Sequence, residues 1–331
     1  MKQKRTIVDV PGIKVGHAQN EQVLTGCTVV LAGEGATAGV DVRGSAPGTR
    51  ETDLLRPENL VEQVHAICLC GGSAFGLDAC SGVMQYLEEQ AIGLDVGVAR
   101  VPIVSGAVLF DLPVGDASVR PDRQMGYQAA AAANCDPVAE GNVGAGTGAS
   151  VGKLAGFERA MKSGIGSSSI ALPNGLIVGA IVAVNAVGEI RDPMTNQLLA
   201  GARDDDGKIK ESRAWMLEQI SMPIPPGTNT TIAVVASNAN LNKAQANKVA
   251  QMAHDGLART IHPVHTMYDG DTIFALATGG VDASVDLVGS FSADVLAEAV
   301  VRAIWAAVAA GGLPACRDLL DEPKGWDGDV T

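Results

Sequence analysis

Aromatic residues are scarce: three Trp, three Tyr and five Phe make up 3% of the 331 residues. Basic residues are short too, with 24 Lys and Arg against 37 Asp and Glu, for a net charge of −13. Nucleic-acid surfaces use a basic footprint and stacking rings, and an anionic membrane repels an acidic face, so neither is expected as a partner. Long hydrophobic runs are missing as well. The longest apolar stretch, 176–187, is interrupted by Gly179 and Asn185, which leaves it too short and too polar to span a bilayer. The basic start at Lys2, Lys4 and Arg5 reaches Asp9 and Pro11 before any signal-peptide core develops. Six cysteines, at 27, 68, 70, 80, 135 and 316, form no C-x-x-C pair and mostly sit in apolar runs. They read as buried free thiols in a reducing cytoplasm rather than as a disulfide frame or a zinc site.

What is present is an apolar, glycine-rich chain. Hydrophobic residues reach 47%, enough for one domain with a sizeable core. Glycine supplies 40 of 331 residues, about 12% against a usual ~7%, in clusters that imply tight turns and close backbone approaches. Short strands are predicted at 6–10, 13–16, 27–31 and 40–42, and a continuous apolar strand at 65–70 leads through Gly71-Gly72 into a helix at 73–90. That turn lacks both the G-x-G-x-x-G spacing and a P-loop lysine, so it reads as close strand-to-helix packing. Apolar segments follow at 101–104 and 107–112, with a helix at 124–134. A hairpin is predicted over 167–172 and 176–184, turned by Asn174-Gly175. The segment 189–227 reads as a loop with one short helix, Pro-rich at Pro223, Pro225 and Pro226. Strand 230–237, helix 241–260, strand 272–278 and helix 292–310 close the chain. No repeat is visible, and the interspersed elements suggest a layered α/β or α+β domain.

Three constellations carry candidate chemistry. Gly148-Ala149-Ser150-Val151-Gly152 is a literal G-x-S-x-G, which as a nucleophile elbow would need a buried strand before it and a helix after it. His262-x-x-His265 with Asp269 and Asp271 offers metal-type ligands but is not a helical H-E-x-x-H, and a solvated turn is the alternative. Asp204-Asp205-Asp206-Gly207 is not counted with these, since it lacks the spacing of a calcium loop and reads as an exposed acidic turn. In the third constellation, Gly227-Thr228-Asn229-Thr230-Thr231-Ile232, an apolar strand begins with hydroxyl residues. Were the Asn229–Thr230 bond broken, the new α-amine, with an unperturbed pKa of about 8, would serve as base for the Thr230 hydroxyl. An ordinary strand start is the competing reading.

That stretch and several others resemble the self-processing DmpA-like peptidases, which include L-aminopeptidase D-amidase/esterases, β-peptidyl aminopeptidases and nylon-oligomer hydrolases. The likeness spans nearly the whole chain. It runs through Pro47-Gly48-Thr49-Arg50-Glu51-Thr52-Asp53, Gly71-Gly72-Ser73-Ala74-Phe75-Gly76-Leu77, Val101-Pro102-Ile103-Val104 and Phe110-Asp111. It continues with Gly144-Ala145-Gly146-Thr147-Gly148, Gly152-Lys153, Val184-Asn185-Ala186-Val187-Gly188, Asn229-Thr230-Thr231-Ile232 and His265-Thr266-x-x-Asp269-Gly270-Asp271-Thr272. The resemblance implies an αββα sandwich like that of N-terminal-nucleophile hydrolases, cleavage of one domain into 1–229 and 230–331, and a homo-oligomer, with a tetramer favoured. It implies an amidohydrolase or aminopeptidase acting on small amides, short peptides or ω-amino-acid oligomers, with no metal or organic cofactor.

Its implied roles fall on Thr230 as nucleophile and Lys153 as the cation that tunes the amine or orients the hydroxyl. Asn185 and Tyr127 are the implied oxyanion donors, with Asp269 and Asp271 as acidic partners of which only one need face Thr230. Threonine with Asp-Gly-Asp is closer to the nylon-oligomer hydrolase pattern than to the aminopeptidases, which carry serine and a Ser-x-Glu pair. A serine hydrolase using Ser150, or a non-catalytic small-molecule binding protein on the same scaffold, are the competing functions.

Overall fold

The computed structural model describes residues 5–218 and 229–321. The predicted Pro-rich end of the 189–227 loop, with Pro223, Pro225 and Pro226, lies outside the described residues.

Nine strands form the main sheet: β1 (Lys14–Asn20), β2 (Thr25–Val42), β3 (Thr49–Arg50), β4 (Gln63–Cys70), β5 (Val104–Val108), β6 (Ile165–Ala171), β7 (Ile177–Ala183), β8 (Ile232–Ala239) and β9 (Thr272–Val281). Their order is β6-β7-β8-β9-β2-β4-β5-β3, with β1 paired to β2. The long strand β2 belongs to both halves. Its first part pairs with β1 and β4, its last part with β9, and the register shifts between Leu31 and Ala36. Gly33 and Gly35 there have φ of 58° and 135°, conformations that glycine adopts without a Cβ clash. The Gly/Ala-rich segment between the predicted strands 27–31 and 40–42 is therefore not a turn joining two strands but a bulge within one.

This bend folds the sheet over on itself. Alternate residues of each strand point to opposite faces, and here both faces are buried. Val30, Ile67 and Leu69 from one half meet Ile181, Ile232, Val234, Phe274 and Leu276 from the other in a shared core. The helices α1 (Ala79–Glu89) and α2 (Arg123–Ala131) cover the outer face of the first half, over Val29, Ala66, Cys68 and Val104. The helices α3 (Lys243–Thr260) and α4 (Val285–Ala306) cover the other, over Val178, Ala180, Val235 and Ile273. The result is the expected helix–sheet–sheet–helix sandwich, and its two parallel pairs, β4 with β5 and β8 with β9, are each joined by a crossover carrying a helix.

Local signals account for most boundaries. The hairpin β6–β7 turns at Asn174-Gly175 with Gly175 at φ 85°, as predicted. Asn242 caps α3 by accepting from Gln245 N, and Ser284 caps α4 by accepting from Leu287 N. The capped helix α4 begins at Val285, ahead of the predicted 292, and runs through Gly289. Gly289 is a contact point between helices: a Cβ there would collide with Met252 Sδ of α3. Residues 6–10, predicted as a strand, hold a 3-10 turn at Ile7–Asp9. No helix among the described residues is long and apolar enough to cross a membrane.

Candidate active site

Register alone brings the site together at one end of β7, β8 and β9. Parallel pairing of Ile232 with Thr272 carries on outward to an isolated bridge between Asn229 and Asp269, which sets Thr230 alongside Gly270. Antiparallel pairing of Ala183 with Ile232 places Asn185 opposite Thr230, and Thr230 N donates to Asn185 O at 2.7 Å. Thr230 is 3% exposed. Its hydroxyl donates to the carbonyl oxygen of Asn229, and Gly270 N donates to that same oxygen at 3.0 Å. A side chain on Gly270 would crowd this point: a Cβ would lie 2.8 Å from Thr230 Oγ1 and 2.7 Å from Ala46 O.

Lys153 follows Gly152, whose φ of 73° turns the chain inward. The Lys153 Nζ donates to Asn185 Oδ1 at 2.7 Å and reaches Asn185 O at 3.4 Å, so lysine and Thr230 N converge on one carbonyl oxygen. Burial pushes the Lys153 ammonium down to about 7, opposed by the carboxylates of Asp269 and Asp111. Asn185 is fully buried. Its Oδ1 also accepts from Ser150 N at 3.1 Å, and its Nδ2 donates to Phe110 O at 3.1 Å.

The two aspartates divide the work. Asp271 Oδ1 accepts from Thr231 N at 2.8 Å, and its Oδ2 accepts from His265 N at 3.1 Å and His265 Nδ1 at 2.8 Å. Asp269 Oδ2 accepts from Thr266 N at 2.8 Å and Thr266 Oγ1 at 2.5 Å. Burial, and then the charge of Asp271, push the Asp269 carboxyl up to about 6, against the Thr266 hydrogen bonds and Lys153.

Thr230, Asn229, Lys153, Asn185, Asp269 and Asp271 are thus brought together, while Tyr127 is not. It lies on α2, where its hydroxyl donates to Glu89 Oε2 at 2.7 Å and its ring meets Tyr86 edge-on. The donor at the Asn229 carbonyl is the backbone of Gly270, which no side-chain motif announces. Ser150 is not on an elbow either: it sits in the two-residue strand Ser150–Val151, between 3-10 turns at Gly144–Gly146 and Lys153–Ala155, with its hydroxyl turned to Asn185 Oδ1 at 3.4 Å.

The remaining candidate ligands serve local structure. His262 Nε2 contacts Ala258 O while His265 serves Asp271, so the two imidazoles do not converge as a metal pair. Asp204 caps its own turn by accepting from Asp206 N and Lys208 N. Five thiols are buried and Cys135 is exposed. Those of Cys27, Cys68 and Cys70 approach to 3.0, 3.4 and 3.5 Å. Metal–sulfur bonds of about 2.3 Å in tetrahedral geometry need sulfurs about 3.8 Å apart, and a close-packed core resists that opening.

Lys162 carried no signal in the sequence, and Asp111 entered only within the Phe110-Asp111 match, with no role of its own. Lys162 Nζ donates to Gly146 O at 3.0 Å, Ala149 O at 2.9 Å and Ser163 O at 2.5 Å, tying down the glycine-rich run beneath Ser150. Burial pushes Lys162 down to about 7. Asp111 accepts from Thr25 Oγ1 and Gly72 N, each at 2.7 Å.

A family model described as Peptidase family S58 matches residues 5–315. An "uncharacterized aminopeptidase" of Mycobacterium tuberculosis is 44% identical, covering 95% of this chain and 97% of its own. A 6-aminohexanoate-oligomer endohydrolase of Kocuria sp. is 34% identical over 83% of this chain and 75% of its own. Among solved structures, a Burkholderia sp. beta-aminopeptidase superposes with a TM-score of 0.69 at 23% identity, covering 95% of this chain and 91% of that one. The L-aminopeptidase D-Ala-esterase/amidase of Ochrobactrum anthropi, described as a variant of the Ntn hydrolase fold, gives 0.67 at 19% identity, covering 93% and 88%.

Proposed function

Because the chain belongs to peptidase family S58, we propose that its hydrolase chemistry runs on the Thr230 hydroxyl, freed by self-cleavage of the Asn229–Thr230 bond. The observation that carries this reading is the convergence at one carbonyl: the Thr230 hydroxyl and Gly270 N–H both contact Asn229 O. In the precursor, Oγ1 attacks the Asn229 carbonyl carbon and the oxygen takes negative charge toward Gly270 N–H, with the second amide hydrogen of Asn185 as a further donor. The C–N bond breaks, the hydroxyl proton ends on the Thr230 nitrogen, and Asn229 becomes an ester on Oγ1. Water then hydrolyses that ester, leaving 1–229 and 230–331. In the mature enzyme the freed amine takes the hydroxyl proton, Oγ1 attacks a substrate carbonyl, and an acyl-enzyme releases the amine product before hydrolysis. Every step uses groups of this chain and water.

Lys153 is the proton carrier in this reading, since its Nζ shares Asn185 O with Thr230 N and burial brings it down to about 7, where it is partly neutral at physiological pH. The self-cleavage rate is expected to rise as pH passes through about 7 and then level off. The linked stability has a definite sign. Between about 7 and the ordinary lysine value of about 10.4 the unfolded chain binds protons that folded Lys153 and Lys162 have released, so stability rises with pH across that window. Timed gels of freshly refolded precursor at several pH values, beside denaturant melts, check both. Gly270→Ala is expected to slow self-cleavage by about tenfold or more, because its methyl displaces the nucleophile.

The substrate class we propose is small amides, short peptides or ω-amino-acid oligomers, supported by the names of the relatives and by Asp269 as a carboxylate suited to a substrate ammonium. Turnover of amino-acyl p-nitroanilides and of 6-aminohexanoate oligomers tests it. Release of p-nitroaniline or of shorter oligomers is expected, and a cleaved chain that hydrolyses neither would contradict it. A homo-oligomer is proposed as well, supported by the small hairpin of Leu94–Asp95 and Arg100–Val101, at whose turn Val96 and Val98 are 49% and 95% exposed, and a reducing compartment, supported by the buried free thiols.

A further inference from the structure

The geometry points to His265 as a positioning residue that locks the Asp271 carboxylate, and through it the backbone beside the nucleophile. This rests on the reading of Thr230 given above. In the precursor Thr230 is held by peptide bonds on both sides. Once the bond to Asn229 is cut, Thr230 keeps its own nitrogen on Asn185 O, and the next backbone anchor along the chain is Thr231, whose N–H donates to Asp271 Oδ1 at 2.8 Å. Its carbonyl takes Thr272 N–H at a longer 3.2 Å. Whether that anchor is rigid depends on what fixes the carboxylate.

His265 fixes it with two donors on the other oxygen, the backbone N–H at 3.1 Å and Nδ1 at 2.8 Å. Asp271 is 1% exposed, so in the intact turn its carboxylate relies on these protein donors and not on bulk water. The histidine is itself immobilised. Its ring packs edge-on to the buried His254 of α3, centroids 4.7 Å apart, and His254 Nε2 reaches Asp41 O of β2 at 3.1 Å. His265 also occupies a left-handed backbone conformation at φ 57°, uncommon outside glycine, although histidine, like asparagine and aspartate, is among the side chains enriched there. The chain therefore places in this turn a residue that both accepts the left-handed backbone and carries a ring donor at the δ position, whereas glycine would accept the backbone without a donor.

Three variants separate the donor from the backbone. His265→Asn keeps an N–H near the Nδ1 position and accepts the left-handed φ, His265→Gly accepts the φ without a donor, and His265→Gln carries its donor at the ε position. Turnover by the mature enzyme is measured beside thermal melting for each. His265→Asn is expected within about threefold of wild-type kcat, and His265→Gly and His265→Gln about tenfold or more below it with KM nearly unchanged. Equal activity of the Gly and Asn variants would overturn the inference, because the backbone alone would then matter, and so would wild-type activity in all three. Thr230→Ala serves as the companion control: if it still turned over substrate, the nucleophile assignment beneath the inference would be what failed.

Discussion

Thr230→Ala is expected to remain full length and to show no measurable turnover, whereas Thr230→Ser cleaves itself and retains activity. The hydroxyl is the part of this side chain placed against the Asn229 carbonyl, and serine keeps it. Alanine removes both the attacking group and its proton, and no other hydroxyl takes over. Ser150 faces Asn185 Oδ1 rather than a carbonyl carbon, so it does not rescue the variant. Since Thr230 N, Thr231 N and the strand pairing that follows are backbone interactions, the alanine variant is expected to melt close to wild type. A Thr230→Ala protein that cleaves, or an uncleaved one with wild-type turnover, would remove the nucleophile assignment.

Asn185→Asp has the second largest expected effect although it changes almost no volume. The new carboxylate would lie where Oδ1 now sits, 2.7 Å from Lys153 Nζ in a fully buried site. A charge pair at that distance and burial holds the proton on lysine, so Lys153 moves up from about 7. At the same time Phe110 O loses its donor, and the developing oxyanion loses an amide hydrogen and gains a nearby negative charge. Self-cleavage at neutral pH is expected to fall by about a hundredfold or more, with the rising limb of the pH profile displaced to higher pH. Conversion half-times for wild type and variant between about pH 6 and pH 9, a range that brackets both lysine forms, read both effects. A variant that matures at the wild-type rate with an unmoved profile would show that neither the lysine nor the amide acts in the step.

The sequence was legible where a side chain or a turn carries the signal. Asn174-Gly175 marked the β6–β7 hairpin, the apolar runs at 65–70 and 230–237 marked strands buried on both faces, and the family resemblance marked Thr230, Lys153, Asn185 and the aspartates. It was opaque where backbone geometry decides. Gly33 and Gly35 look like a turn between strands and instead let β2 bend from one layer to the other. Gly289, ahead of the predicted start of the last helix, lies inside α4 and lets α3 and α4 approach. The donor to the Asn229 carbonyl is a main-chain N–H at Gly270, visible only once β8 and β9 are known to run parallel in this register. Tyr127 is placed apart from Thr230 for a related reason: a tyrosine on a helix shows no sign of which face it takes, and here α2 turns it to Glu89 of α1. His265 was noticed as half of a metal pair, and only its distance to Asp271 gave it another part.

The most direct test of the central claim is the intact mass of the purified chain under denaturing conditions, wild type beside Thr230→Ala. The account predicts two wild-type species whose masses correspond to 1–229 and 230–331, the second beginning with a free threonine amine, and a single species of 33.8 kDa for the variant. A wild-type chain that stays at full mass after prolonged incubation above about pH 7 while hydrolysing amides would contradict it, as would fragments joined at any other bond.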